Sequence, residues 1–324
     1  MAQNLEDFIK KYNPHAETVQ FLKARAEDGV PPYFEIGVER ARLESIKASE
    51  KYGGKIDFDG ADTELFVPSP HCSDGIPVSV YFPVACQGDA TPTILVYFHG
   101  GGNVVGCRQT HETICKILAR DAQCIVVNVE YRRGPEHRFP ANNDDAKCVV
   151  QWVAENKHAV GGGSGSKLGV AGDSAGGRIA AVVSYDARDL IDFSVLVYPN
   201  TTMHFNYPSI EEFREGPGLS YKLLQWFMGN YLTGEEDRND PRASVLLRED
   251  CSNLPPTLII VAQLDPLRDG CYAYATKLKA AGVEVEVRTI QGVLHAFWSL
   301  TGAYLETGKE AQGYAIQFIR KFKA

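Results

Sequence analysis

What this 324-residue sequence lacks bounds it before any motif does. No apolar run approaches the ~20 residues that a membrane-crossing helix needs. The opening stretch, Met1-Ala2-Gln3-Asn4-Leu5-Glu6-Asp7, carries acids and no apolar leader core, so no signal peptide is expected. Positive charge is in deficit: 33 Lys and Arg against 41 Asp and Glu give a net charge of −8. That balance argues against nucleic acid as a partner and against docking on anionic membranes. Cys-x-x-Cys pairs are absent, and the eight cysteines are scattered, several of them inside apolar runs. Buried thiols in a reducing, cytoplasmic compartment are expected, not a disulfide framework.

Internal repeats and low-complexity tracts are also missing. Two near-motifs fall short. The glycine-rich turn at 161–166 lacks the Gly-Lys-[Ser/Thr] ending of a phosphate loop. His111-Glu112-Thr113-Ile114-Cys115 has Cys where a zinc-protease helix needs its second His. No metal and no cofactor is expected.

What remains is a regular alternation. From about Glu64, strands at 76–82, 94–98, 124–131, 168–171, 193–198, 256–262 and 283–290 are separated by helices, among them 110–119, 144–156 and 270–281. Such alternation predicts an α/β fold, with a mostly parallel central sheet flanked by helices. Two segments break the rhythm. Residues 1–45 read as helical, anchored by Leu5, Phe8, Ile9, Val19, Phe21 and Leu22. Residues 201–254 separate two core strands by far more than an ordinary connection, and they are rich in aromatics, including Phe213, Trp226 and Phe227. The core then falls into 46–200 and 255–324. The insertion leaves the sheet just after Pro199, which suits a helical cap over the carboxyl edge.

Two glycine clusters carry the chemistry. Gly172-Asp173-Ser174-Ala175-Gly176 is a G-x-S-x-G elbow between a strand and a helix of small residues. A serine on so sharp a turn needs small neighbours two positions away on either side, and the turn aims the Ala175 N–H at a reacting carbonyl. His99-Gly100-Gly101-Gly102 ends another strand, where glycines let backbone N–H groups approach a substrate closely. Asp265 follows the strand at 256–262, and His295 follows the last strand by a short loop. The order Ser174, Asp265, His295 is that of α/β-hydrolase triads. All of these residues follow strands, so parallel topology gathers them at one sheet edge.

These residues resemble the hormone-sensitive-lipase-like family of α/β-hydrolases, the bacterial family IV esterases. The resemblance runs from about Thr93 to the C-terminus, through the HGGG and GDSAGG motifs, Asp-Pro-Leu-x-Asp at 265–269 and His-x-Phe at 295–297. The stretch Tyr131-Arg132-Arg133-Gly134-Pro135-Glu136-His137-Arg138-Phe139-Pro140-Ala141 is similar to the family's Tyr-Arg-Leu-Ala-Pro-Glu-His-x-Phe-Pro-Ala. The resemblance implies an oxyanion hole of Gly101, Gly102 and Ala175, a two-part cap in the two irregular segments, and a small-molecule ester substrate. Asn103 stands where relatives carry an aromatic, and predicts a roomier or wetter pocket beside the oxyanion loop. Arg133-Gly134 in place of Leu-Ala is a second departure.

Competing roles remain open at this point. Asp269 rivals Asp265 as the acid, although a helix cap is its ordinary job. Asp173 is either a brace for the loop or a pocket-edge carboxylate. His99, with Gly100, is read as support for the loop. An amidase, formamidase or lactonase would use the same triad, and a non-catalytic ligand receptor would have lost its histidine. The sequence is silent on oligomeric state, and a homodimer is left open.

Overall fold

The computed structural model describes residues 2–323. Three helices lead the chain, α1 (Ala2–Tyr12), α2 (Ala16–Asp28) and α3 (Tyr33–Tyr52). Helix therefore continues past position 45, where the helical leader was expected to end. Its last residue is anchored: the Tyr52 ring meets Phe21 edge-on at 5.2 Å, and its hydroxyl donates to Asp28.

An antiparallel pair follows, β1 (Ala61–Ser69) and β2 (Cys72–Phe82). The alternation then runs β3 (Ile94–Phe98), α4 (Glu112–Ala122), β4 (Ile125–Val129), α5 (Ala141–Glu155), β5 (Leu168–Asp173), α6 (Ala175–Asp186) and β6 (Phe193–Val197). After two further helices, α7 (Pro208–Glu212) and α8 (Tyr221–Tyr231), it resumes with β7 (Thr257–Leu264), α9 (Arg268–Ala280), β8 (Val285–Leu294) and α10 (Glu306–Arg320). The eight strands form one sheet in the order β1-β2-β4-β3-β5-β6-β7-β8, parallel from β4 through β8. This is the α/β-hydrolase architecture.

Every residue of β3, β4, β5 and β6 is buried, because helices cover both faces. On β3, Ile94, Val96 and Phe98 face a cluster with α5, α6 and α9, while Leu95 and Tyr97 face α4 and α10. One expected boundary fails. The segment 291–294, expected as loop, continues β8 and pairs Leu294 with Leu264 past an irregularity in register. Gly292, at φ 68°, permits that irregularity.

The 201–254 insertion builds a small core of its own from Met203, Phe205, Ile210, Leu224 and Tyr231, shared with Phe139 and Leu267. It also packs on the leading helices. Tyr12 meets Phe213 at 5.1 Å and Tyr33 meets Trp226 at 6.5 Å.

Candidate active site

Ser174 stands between β5 and α6 with φ 56° and ψ −118°, a left-handed conformation that side chains seldom adopt. Its N–H donates to Val197, and its carbonyl accepts from Arg178 and Asn200, so neighbouring elements hold the strain in place. The flanking glycines are required by space: a Cβ on Gly172 would lie 2.4 Å from the Gly176 carbonyl, and one on Gly176 would lie 2.0 Å from that of Phe98.

The Ser174 hydroxyl donates to His295 Nε2 at 2.8 Å, and His295 Nδ1 donates to Asp265 Oδ2 at 2.7 Å. Asp265 is fully buried at the end of β7, and its other oxygen accepts the Leu267 N–H at 2.8 Å. Buried Tyr198 packs against the imidazole, with ring centres 4.6 Å apart. The fold thus joins Ser174, His295 and Asp265 in one hydrogen-bonded line. Asp269 is not part of it, nor does it cap α9 as expected. Its carboxylate accepts the Ser209 N–H at the start of α7 and the Arg268 side chain, tying the insertion to α9.

The HGGG loop meets this line from β3. Among the described residues, the N–H groups of Gly101, Gly102 and Ala175 donate to no backbone acceptor outside regular elements, while Gly100 donates to Asp173. Gly101 (φ 119°) and Gly102 (φ 61°) occupy conformations suited to glycine. A Cβ on Gly102 would also strike the Phe227 ring of α8 at 2.3 Å. His99 is buried, stacked on Tyr131 at 4.2 Å, and its Nδ1 donates to the Gly100 carbonyl. Burial, reinforced by repulsion from His111 and Arg133, drives its pKa well below the ordinary value, so it stays neutral and supports the loop.

Of the two roles left open for Asp173 the structure shows the loop brace, and the expectation for Asn103 is corrected. Asp173 is no pocket carboxylate: it is buried behind the loop, accepting from Tyr97 at 2.7 Å and Gly100 at 3.0 Å, with His111 at 3.2 Å. Burial alone would raise its pKa, but His111 and the Tyr97 hydroxyl hold it below the ordinary value. Asn103 does not open a pocket either. It is 3 % exposed, and its side-chain oxygen accepts from Asn142 at 2.7 Å and Arg178 at 2.9 Å.

Sequence reasoning missed Arg42 of α3. Its guanidinium donates to the Val104 carbonyl (2.9 Å), the Gly134 carbonyl (2.8 Å) and both Glu136 oxygens (2.8 and 2.6 Å). Arg42 thereby clips the leading helices to the far side of the HGGG loop. No local pattern marks it, since its partners lie more than sixty residues away.

The paired Arg42 guanidinium lowers the Glu136 pKa to about 2, from 4.5. A carboxylate depressed on folding stabilises above its unfolded pKa, and that stability disappears as pH falls through the folded value. Glu136→Gln should therefore lower Tm at pH 6, by a stability loss of up to about 1 kcal/mol for this half-exposed pair. In melts of the two proteins, the gap should narrow as pH falls from 4.5 toward 2. A gap that widens on acidification would exclude the ion pair as its source.

Comparison with known proteins agrees with this construction. The family described as alpha/beta hydrolase fold matches residues 95–299, well over half of the chain. An ethyl acetate hydrolase of Pseudomonas putida is 34% identical over 314 residues, 94% of this chain and 97% of its own. The carboxylesterase NlhH of Mycobacterium tuberculosis is 37% identical over 303 residues, 91% of this chain and 90% of its own. Among solved structures, a thermostable esterase from Pseudomonas putida superposes with TM-score 0.88 at 30% identity, covering 96% of this chain and 98% of that one. The Pyrobaculum calidifontis esterase gives TM-score 0.81 at 35% identity, over 88% and 93%. The chain belongs to the α/β-hydrolase fold family, in its hormone-sensitive-lipase-like branch of serine carboxylesterases.

Proposed function

We propose that this protein hydrolyses short- to medium-chain carboxylic esters through a Ser174–His295–Asp265 triad and an acyl-enzyme intermediate. The observation that carries the reading is the unbroken hydrogen-bonded line from the Ser174 hydroxyl through His295 to Asp265. His295 Nε2 takes the hydroxyl proton as Ser174 Oγ bonds to the carbonyl carbon, and Asp265 stabilises the imidazolium. The N–H groups of Gly101, Gly102 and Ala175 receive the negative charge that develops on the carbonyl oxygen. His295 then returns the proton to the departing alcohol as the ester C–O bond breaks. Water, deprotonated by the same imidazole, releases the acid from Ser174. Water is the only co-reactant the balance requires.

Substrate size follows from the cap, assigned to residues 1–45 and 201–254. Phe227 lying over Gly102, with Trp226 packed against the leading helices, supports a roof over this edge. In an enclosed pocket each buried CH₂ adds about 0.8 kcal/mol until the space is full, after which overpacking costs about 1–3 kcal/mol. With aryl esters of increasing length, kcat/KM should peak at about two to six acyl carbons and fall at least tenfold by about twelve. An amide and a lactone measured alongside test the reaction class. Faster turnover of either would reassign the substrate and keep the triad. A flat profile to long-chain triglycerides, with activation at an oil–water interface, would overturn the enclosed pocket.

A further inference from the structure

Arg178 lies on α6, one turn beyond Ser174, and it is 0 % exposed. Among the described residues no carboxylate lies within ion-pair distance of it. Its guanidinium is met by neutral acceptors instead. Nη2 donates to Asn103 Oδ1 and to the Tyr231 hydroxyl, both at 2.9 Å. Nη1 donates to Asn143 Oδ1 at 3.2 Å and to the Arg242 carbonyl at 2.5 Å, and the charge sits 5.1 Å from the centre of the Tyr231 ring.

These contacts close into a ring. The Tyr231 hydroxyl donates to Asn142 Oδ1 at 2.8 Å, and Asn142 Nδ2 donates to Asn103 Oδ1 at 2.7 Å. A guanidinium can only donate, so it fixes the direction of every proton around the ring. Four parts of the fold meet there: α6 below the nucleophile, α8 of the insertion, the start of α5, and the HGGG loop. Asn103 is the loop's member, and it acts there as an acceptor only.

Its place in sequence gives that anchor a consequence. Gly101 and Gly102 have no side chains with which to hold their own N–H groups. On one side the loop is pinned by Gly100 to Asp173. On the other, the first side chain available is Asn103, held at φ 63° with its carbonyl accepting the Gly134 N–H at 2.9 Å. We propose that Asn103 is a positioning residue: its carboxamide oxygen, gripped by Arg178 and Asn142, holds the Gly101 and Gly102 N–H groups in register with Ser174. Alignment of the hole is thereby coupled to the nucleophile helix and to α8. This rests on the oxyanion role given to those glycines above.

Three variants test it, each measured for kcat, KM, Tm and inhibition by a trifluoromethyl ketone that mimics the tetrahedral adduct. Asn103→Leu keeps the size, removes the acceptor and adds backbone strain at φ 63°, which Tyr231→Phe does not. It should lower kcat about a hundredfold, the cost of misplacing reacting groups, and leave KM within about threefold. Inhibitor affinity should fall by a similar factor, since only the adduct uses the displaced donors. Asn103→Asp restores an acceptor facing Arg178 and should bring kcat back to within about fivefold of wild type.

Tyr231→Phe guards against an unfolded Leu variant. It breaks the ring one bond away from Asn103 and should lower kcat about tenfold at unchanged KM. A role confined to stability would lower Tm and leave kcat of the folded protein alone. The proposal is overturned by a folded Asn103→Leu protein with wild-type kcat, by a change in KM alone, or by no recovery in a folded Asn103→Asp. If Asn103→Leu does not fold, wild-type kcat in Tyr231→Phe overturns it. Failure of the esterase reading looks different: wild-type protein would then turn over no ester at all.

Discussion

Ser174→Ala should remove ester turnover by about a million-fold in kcat, the loss seen when a comparable triad loses its serine. The fold should survive. Among the described residues, the side chain of Ser174 makes one hydrogen bond, the one to His295. Its backbone bonds to Val197, Arg178 and Asn200 do not involve the hydroxyl, and alanine tolerates φ 56° about as well as serine. The thermal melt of the variant should therefore overlay that of wild type within a few degrees. Retention of more than about a thousandth of the activity in a clean preparation would exclude Ser174 as nucleophile, because the oxyanion hole and binding alone supply only a small residue of the rate.

Asp265→Asn comes next in size, with an expected loss of about ten-thousand-fold in kcat. The structure supplies the reason. Both oxygens of Asp265 accept, one from His295 Nδ1 and the other from the Leu267 N–H. An asparagine has one acceptor, and giving it to Leu267 turns the amide NH₂ toward the imidazole. His295 must then carry its proton on Nε2, where it no longer takes one from Ser174. Asp269→Asn should instead weaken the α7–α9 tie by about 1–2 kcal/mol while kcat is preserved. Steady-state kinetics and melts of the two variants separate these outcomes. A larger kinetic loss at Asp269 would exchange the two roles.

The sequence exposed what rests on local rules. Buried strands announced themselves by apolar runs, and the glycines around Ser174 and after His99 marked turns that only glycine fits. His295 was found by its place after the last strand, even though β8 runs on to Leu294 and leaves almost no loop before it.

What stayed hidden is tertiary. Arg42 reaches the HGGG loop from a helix more than sixty residues earlier, and neither end advertises the other. The role of Asn103 is hidden for the same reason. The space beside it is filled by Arg178, and the partners of that side chain come from three other elements. A signal did exist in Arg178 itself. An arginine among Ala175-Gly176-Gly177 and Ile179-Ala180-Ala181 sits where everything nearby is buried, so it must bring polar partners inside with it.

The central claim is that Ser174 attacks the substrate with His295 as its base, and covalent capture tests it most directly. Wild-type protein incubated with an aryl phosphonate should gain a single phosphonyl group as activity is lost. Peptide mapping should place that group on Ser174, and Ser174→Ala should take up none. Complete inactivation with the label on another residue, or full activity after stoichiometric labelling of Ser174, would contradict the account.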